Sequence, residues 1–350
     1  MKLEDIAASP TGWLKGRGPR DSIVLSTRVR VARNISGRVY VEKAGGGQRL
    51  EILSYAMDGI KKSGVFPSGF FARLKDLDAL DKNFLAERHL MSREHVDDPE
   101  YKGLVVGDKG SCSVMVNEED HIRLQVLMPG FDVIRAWKKA DEIENIMAKH
   151  LEFDYSNSFG YLTSCPTNTG TGLRASCMLH LTALVMTGQI DTVFDGISKL
   201  GMTIRGFYGE GTEAVGDFFQ ISNQVALGRS EMDILDNLVR IISKVIDRED
   251  DTRKNMLSAR KEEISDRVER SLVTLKTARI ITSSETIKLL STVRLGIDIG
   301  IVKDVTPELV NEMLLLSQPA HLQRSGEREI APHERDIKRA DLIRHKFGGE

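Results

Sequence analysis

Five arginines, Arg28, Arg30, Arg123, Arg174 and Arg205, stand beside turns or on segments whose alternation marks one face of a strand. An acidic run, Glu118-Glu119-Asp120, sits just before the third of them. Arginine suits phosphate because its planar fork donates two parallel hydrogen bonds and keeps its charge. One such residue is ordinarily solvated surface, so their company matters more than their number. Around Arg174 runs C-P-T-N-T-G-T-G-L-R-A-S-C, residues 165–177, a Gly/Thr-rich loop that reads as leading into a helix. Such a loop offers backbone N–H groups and a helix N-terminus to an anion. It is not a Walker A motif, since Gly170 and Gly172 are not followed by Lys-Ser/Thr, and the signatures of the usual protein kinases are absent too. On residue chemistry alone, a phosphate site and a plain structural turn both fit the loop. A solvated turn likewise competes with a functional carboxylate at 118–120.

The elements that must position these residues are legible in outline. In residues 22–31, Ile23, Leu25, Thr27, Val29 and Val31 share one face and Ser26, Arg28 and Arg30 the other, which predicts a strand with a cationic face. Segments 111–117 and 121–128 read as a hairpin joined by the acidic run. Helices are expected at about 131–149 and about 174–187, the second stopped near Gly188, and strands near 202–207 and 217–222. Ser230 is the expected N-cap of a helix over 231–247 whose stripe is Ile234, Leu238, Ile241, Ile242 and Val245. Beyond the charged stretch Asp247–Lys254 the pattern is helix after helix. Thr282 with Glu285 resembles a capping box, and Thr306-Pro307 opens a helix that Pro319 is expected to end. The fold class is therefore α+β: a catalytic domain over 1–250, with an antiparallel sheet flanked by helices, then an all-helical domain over 251–350.

Composition narrows the partners. With 49 basic and 51 acidic residues in 350, net charge −2, there is no global positive field for nucleic acid. No apolar run is long enough to span a bilayer and the N-terminus lacks the core of a signal peptide, which gives a cytoplasmic expectation with no membrane contact. Cys112, Cys165 and Cys177 have no metal-like spacing, and no protein-borne metal site is expected.

Four motifs then occur in one order: S-T-R-V-R at 26–30, N-E-E-D-H-I-R at 117–123, C-P-T-N-x-G-T-G-L-R-A-S from 165, and R-G-F-Y-G-E at 205–210. Together they resemble the guanidino (phosphagen) kinase family, and most closely its bacterial protein-arginine kinase branch, over the whole chain. The resemblance implies ATP as cofactor, with Mg²⁺ held mainly by nucleotide and water. It implies a nucleotide site made by Ser26, Thr27, Arg28, Val29 and Arg30, by His89 and Arg123, by Arg174, Ala175, Ser176, Cys177 and Met178, and by Arg205, Gly206, Phe207, Tyr208, Gly209 and Glu210. Glu119 matches the family's catalytic carboxylate, Glu210 a second carboxylate, and Cys165 the cysteine that touches the substrate guanidinium. The chemistry agrees: a guanidinium has a pKa above ~12 and must be oriented and relieved of a proton before it attacks phosphorus. Thr169 departs from the pattern, where leucine is expected.

Creatine and arginine kinases carry a long helical domain before the equivalent strand, which here begins near residue 22, so an open site suited to a protein side chain is expected. The helical region resembles the branch's extra domain, which implies a homodimer and a phosphoarginine pocket at R-D-I-K-R-A, with Arg335, Asp336 and Arg339 binding an allosteric activator. Implied partners are proteins with exposed arginine, a zinc-containing activator protein, and protease and chaperone components of the stress response. Two alternatives remain open on sequence: a small-molecule arginine kinase, and a non-catalytic phosphoarginine-binding module.

Overall fold

The computed structural model describes residues 1–8, 12–15, 17–206, 215–324 and 330–348. Its strands are β1 (Val24–Arg33), β2 (Phe70–Arg73), β3 (Gly103–Gly107), β4 (Cys112–Val116), β5 (Ile122–Pro129), β6 (Tyr155–Ser156), β7 (Gly160–Tyr161), β8 (Leu173–His180), β9 (Met202–Gly206) and β10 (Phe218–Asn223). The helices are α1 (Leu3–Ala8), α2 (Gly12–Lys15), α3 (Gly46–Ser63), α4 (Ala79–Glu87), α5 (Val133–Met147), α6 (Thr182–Met186), α7 (Ile190–Lys199), α8 (Glu231–Thr277), α9 (Ser283–Asp298), α10 (Pro307–Leu316), α11 (Pro319–Arg324) and α12 (Pro332–Phe347).

Eight strands form one antiparallel sheet in the order β2-β3-β4-β5-β1-β8-β10-β9. The α+β class stands, with the cationic strand β1 at its centre, where its apolar face can be covered fully. One face is the main core: Val29, Val31, Leu124, Val126, Ala175, Cys177 and Ile221 pack against Ala136, Ile143 and Met147 of α5 and Ile234, Leu238 and Ile242 of α8. The opposite face is covered at its two ends and, over Leu127 of β5, by Trp13 and Leu14 of α2. Leu104, Val106 and Met115 meet Phe84 and Leu85 of α4 at one end, and Met178 and Phe218 join the helical C-terminal core at the other.

Residues 174–187 correct one expectation. They are not a helix: 173–180 form β8, paired with both β1 and β10, and only the short α6 follows. The Gly/Thr-rich loop therefore runs into a strand and presents no helix N-terminus. The apolar run fits either period, and pairing on both edges in the middle of the sheet decides between them.

Helix α8 begins at the Ser230 cap, whose hydroxyl accepts from the Asp233 amide at 3.1 Å. It runs unbroken past residue 250 and leaves helical dihedrals at Arg260, φ −140° and ψ 38°. The division at 250 thus falls inside a continuous helix. Pro319 opens α11, since α10 has already ended at Leu316. At Thr282 the hydroxyl accepts from the Glu285 amide at 3.2 Å, capping α9.

Buried ion pairs tie the helical region to the sheet. Arg253 donates to Glu249 at 2.8 Å, to Asp298 at 3.3 Å, and to the carbonyls of Ser22 at 3.1 Å and His180 at 3.2 Å. Glu249 in turn accepts from the amides of Ala183 and Leu184, each at 3.0 Å.

Candidate active site

Strand register brings the five arginines to one face. Arg30 lies opposite Arg174 on one side and Gln125 on the other; Ala32 lies opposite Arg123, and Arg28 opposite Ser176. Gln220 of β10 lies opposite both Met178 and Arg205. Residues directly opposite in an antiparallel pair point to the same side. The set Arg28, Arg30, Arg123, Arg174 and Arg205 is therefore one cationic surface on that face of the sheet, and Arg28, Arg30 and Arg205 line a cleft there with Ser26, His89, Ser176, Met178, Gly206 and Gln220.

This surface holds more positive charge than it neutralises. Burial and then the neighbouring Arg123, Arg174 and Arg205 push the Arg28 guanidinium down to about 10. Arg174 is likewise at about 10, through burial and then Arg205 and Arg123, and Arg30 is lowered furthest, through burial and then Arg28 and Arg123. The partners are mostly neutral: Arg28 donates to Gln220 at 2.6 Å and Arg174 to Ser222 at 3.1 Å. The buried Nε atoms of Arg30 and Arg174 have no partner among the described residues. Crowded cations with unfilled donors lining a cleft form a site for a multiply charged anion.

At the Arg123 end of the cleft stand the acidic groups. Glu118 is buried, accepts from Ser92 at 2.6 Å and is ion-paired with Arg123. Burial raises its pKa, but Arg123, Ser92 and the Glu119 amide outweigh that and leave it lowered. Glu119 is the exposed one of the pair, 43% accessible, with its carboxylate 4.0 Å from Arg123. Its pKa is raised, by burial first and then by Asp120 and Glu118 against Arg123, and it lies within reach of the Cys165 thiol. Cys165 is half-buried, 2.9 Å from the Thr167 hydroxyl.

Asp120, which sequence reasoning passed over, holds these two parts together. Its Oδ1 accepts from Asn34 at 2.7 Å and from the Ser164 amide at 2.6 Å, locking the turn that bears Glu119 to the loop that bears Cys165. Asn34 also donates to the Leu162 carbonyl at 3.2 Å and accepts from the His121 amide at 2.9 Å. The loop closes through glycine: Gly170, at φ 109°, packs where a Cβ would lie 2.9 Å from the Ala226 carbonyl oxygen. Thr169, in the leucine position, bonds the Thr163 hydroxyl at 3.0 Å, so the departure adds a polar link inside the loop.

The remaining expected residues divide. Thr27, Val29, Ala175 and Cys177 point into the opposite core, Thr27 donating to the Gly130 carbonyl at 2.7 Å. Phe207, Tyr208, Gly209 and Glu210 lie outside the described residues. His89, at φ 58°, is in the cleft; burial and then Arg28 and Arg93 take its imidazole down to about 3, so it is neutral. Gln220, Ser222 and Ser92 were missed, although the polar alternation of F-F-Q-I-S-N at 218–223 marks Gln220 and Ser222.

In the helical region, Arg335, Asp336 and Arg339 share α12 but not one environment. Arg339 is buried and donates to the carbonyls of Ser317 at 2.7 Å and Ile281 at 2.9 Å and to Asp336. Arg335 donates to the Ile330 carbonyl at 2.9 Å and lines a second cleft with Asn83, Glu87, Arg93 and Gln323. The segment from Ala86 to Glu94 borders both clefts. Glu87 anchors that segment by accepting from the amides of Ala320 at 2.8 Å and His321 at 3.1 Å.

Among the described residues no cluster of three or more His, Cys, Asp or Glu gathers as a metal cage, and no helix is long and apolar enough to cross a membrane.

Comparison with known proteins agrees with this geometry. The family model for the ATP:guanido phosphotransferase C-terminal catalytic domain matches residues 58–252, and that for the protein-arginine kinase McsB C-terminal domain matches residues 261–349. The chain is 43% identical over 348 residues to the protein-arginine kinase of Halothermothrix orenii, covering 99% of both. It is 42% identical over 339 residues to that of Bacillus subtilis, covering 96% of this chain and 93% of the relative. The solved structure of lombricine kinase superposes with a TM-score of 0.60 at 26% identity, over 72% of this chain and 71% of that one. Full-length identity at this level, with the guanidino kinase sheet and the helical region both matched, establishes that the chain belongs to the ATP:guanido phosphotransferase family as a protein-arginine kinase.

Proposed function

We propose that the cationic face holds the phosphates of ATP and that Glu119 and Cys165, with Glu210, hold the acceptor guanidinium. The observation that carries this reading is the placement of Glu119 4.0 Å from Arg123, at one end of the sheet face that the five arginines share. A nitrogen of the acceptor guanidinium forms the new P–N bond to the γ-phosphorus. The bond from phosphorus to the bridging oxygen breaks, and its electron pair stays on the β-phosphate of ADP. The proton lost from the attacking nitrogen passes to the Glu119 carboxylate. Arg28, Arg30, Arg123, Arg174 and Arg205 offset the charge on the transferring group, where fixed donors in a partly dry cleft act most strongly. Mg²⁺ would enter on the nucleotide, held by phosphate and water, and would add Lewis-acid stabilisation of the phosphates. Cys165 supplies a polarisable contact to the cation and makes no covalent bond.

The acceptor is arginine in a polypeptide, and the biological setting we propose is cytoplasmic marking of proteins in stress response and quality control. Phosphoarginine would act back on the enzyme through Arg335 and Asp336, with Arg339 fixing Asp336. A homodimer, a zinc-containing activator protein, and protease and chaperone components that read the mark belong to the same reading. The wall shared by the two clefts supports communication between them.

Incubation with Mg-ATP and an arginine-rich acceptor protein, followed by mass spectrometry that preserves acid-labile phosphoramidates, tests the proposal. Glu119→Gln should reduce transfer by ~10²- to 10⁴-fold while leaving ATP affinity unchanged. More than a tenth of the activity surviving would overturn the role of Glu119.

A further inference from the structure

The nucleotide cleft has a polarity that the arginines alone do not explain. Along β1 from Ala32 to Ser26 the floor changes from Arg123, Arg174 and Arg30, through Arg28, to Ser26 opposite Met178. Six residues of strand span ~20 Å at ~3.3 Å each, comparable with an extended nucleoside triphosphate. With Glu119 at the Arg123 end, the nucleoside must lie at the other end, where the lining is Trp13, His89, Leu127 and Met178.

Trp13 belongs to α2, outside every motif of the family resemblance. Its indole is 3% exposed and lines the cleft, and its ring meets His89 edge to face with centroids 5.3 Å apart. The buried Nε1–H has no hydrogen-bond partner among the described residues. Leaving a buried donor unmade is costly, and indole N–H groups normally find an acceptor. A purine and ribose present ring nitrogens and hydroxyl oxygens that accept such a bond, as well as a flat face for the aromatic wall. The segment is held from two sides: Trp13 and Leu14 pack between Leu127 of β5 and Leu315 of α10, and Asn311 of α10 donates to the Leu14 carbonyl at 3.4 Å.

We propose that Trp13 is a nucleotide-binding residue, forming the aromatic wall of the purine-nucleoside end and donating its Nε1–H to the bound nucleoside, with the C-terminal helices bracing it from behind. This rests on reading the cleft as the ATP site. The N-terminal segment then completes a site that the motifs leave open at its nucleoside end.

The two tryptophans of the chain make this measurable. Trp137 is on α5, packed against the core on the other side of the sheet, so Trp137→Phe leaves Trp13 as the sole reporter. Titration of that variant with Mg-ADP should change Trp13 emission with the dissociation constant found by calorimetry, whereas inorganic tripolyphosphate should bind without moving it. Trp13→Phe keeps the wall but removes the donor. It should weaken Mg-ADP binding and raise KM for ATP about three- to tenfold, with kcat within about twofold and tripolyphosphate affinity unchanged. Calorimetric binding of Mg-ADP without any change in Trp13 emission would overturn the proposal, as would an equal response to tripolyphosphate. No calorimetric binding at all would overturn the reading of the cleft and this inference with it. The emission titration stands even if Trp13→Phe fails to fold.

Discussion

Arginine is used in two opposite ways in this molecule. Under the sheet, at the junction with the helical region and within that region, Arg33, Arg253 and Arg339 are buried and hydrogen-bonded to carboxylates and carbonyls. Arg33 grips Glu144 through Nε at 2.6 Å and Nη2 at 3.0 Å and also donates to the Thr171 carbonyl at 2.9 Å. On the cleft face, Arg28, Arg30 and Arg174 crowd one another and have glutamine and serine for partners. The first group is finished in the folded chain, and the second is finished only by an anion. Filled donors beside carboxylates leave no buried charge uncompensated, whereas unfilled donors beside like charges raise the free energy of the fold and hold it for ligand binding.

Substitutions in the two groups should therefore move opposite observables. The largest stability effect is expected at Arg253→Ala, which leaves Glu249 buried without its cation and Asp298 with Arg294 alone of its two guanidinium partners. The cost should be about 3–5 kcal/mol, read as a lower denaturant midpoint with the nucleotide site chemically intact. Equal stability in that variant would erase the distinction between the two groups of arginines. At Arg174→Ala the pattern should invert, with transfer falling about 10²- to 10³-fold while the thermal midpoint of the nucleotide-free protein is unchanged or higher. Arg174→Lys should rescue little of this, since a point charge cannot reproduce the fork. Arg30→Met is a milder probe. Relief of like-charge crowding should stabilise the nucleotide-free protein by about 1 kcal/mol, and added Mg-ATP should raise its melting temperature less than it does for the parent.

The smallest expected effect concerns the turn between β9 and β10. Burial, and then Glu249 against Arg267, raises the Asp217 carboxyl from the ordinary range to about 6. Because the folded state holds this proton more tightly than the unfolded state, the contribution is stabilising at low pH and is lost as pH rises from about 4 through about 6. Asp217→Asn should flatten that part of the stability profile and raise the melting temperature at pH 7 by about 1–2 °C. A profile with the same slope in the variant would assign the titration elsewhere.

Legibility followed the range of the interactions involved. Strand β1, the β4–β5 hairpin and the start of α8 were readable because alternation, an acidic turn and a Ser230 cap are local signals. The identity of β8 was not, because L-R-A-S-C-M-L-H carries apolar residues at both periods and its pairing partners, β1 and β10, are distant in sequence. The same holds for the site. Residue type and company raised the five arginines as candidates, whereas Glu119 and Cys165 were marked by the family resemblance.

By itself the sequence determined the chemical inventory: forked cations for phosphate, an acidic turn that the family resemblance assigns to a guanidinium, and a helical C-terminal region. Tertiary structure alone decided which arginines face the cleft and which are consumed by carboxylates, because Arg33 and Arg30 differ only in the side of one strand to which they point. It also decided that Asp120 ties the acidic turn to the cysteine loop and that Trp13 meets His89, since both contacts join segments that no local pattern connects. Side-chain type is local, whereas the satisfaction of a hydrogen-bonding group depends on everything packed around it.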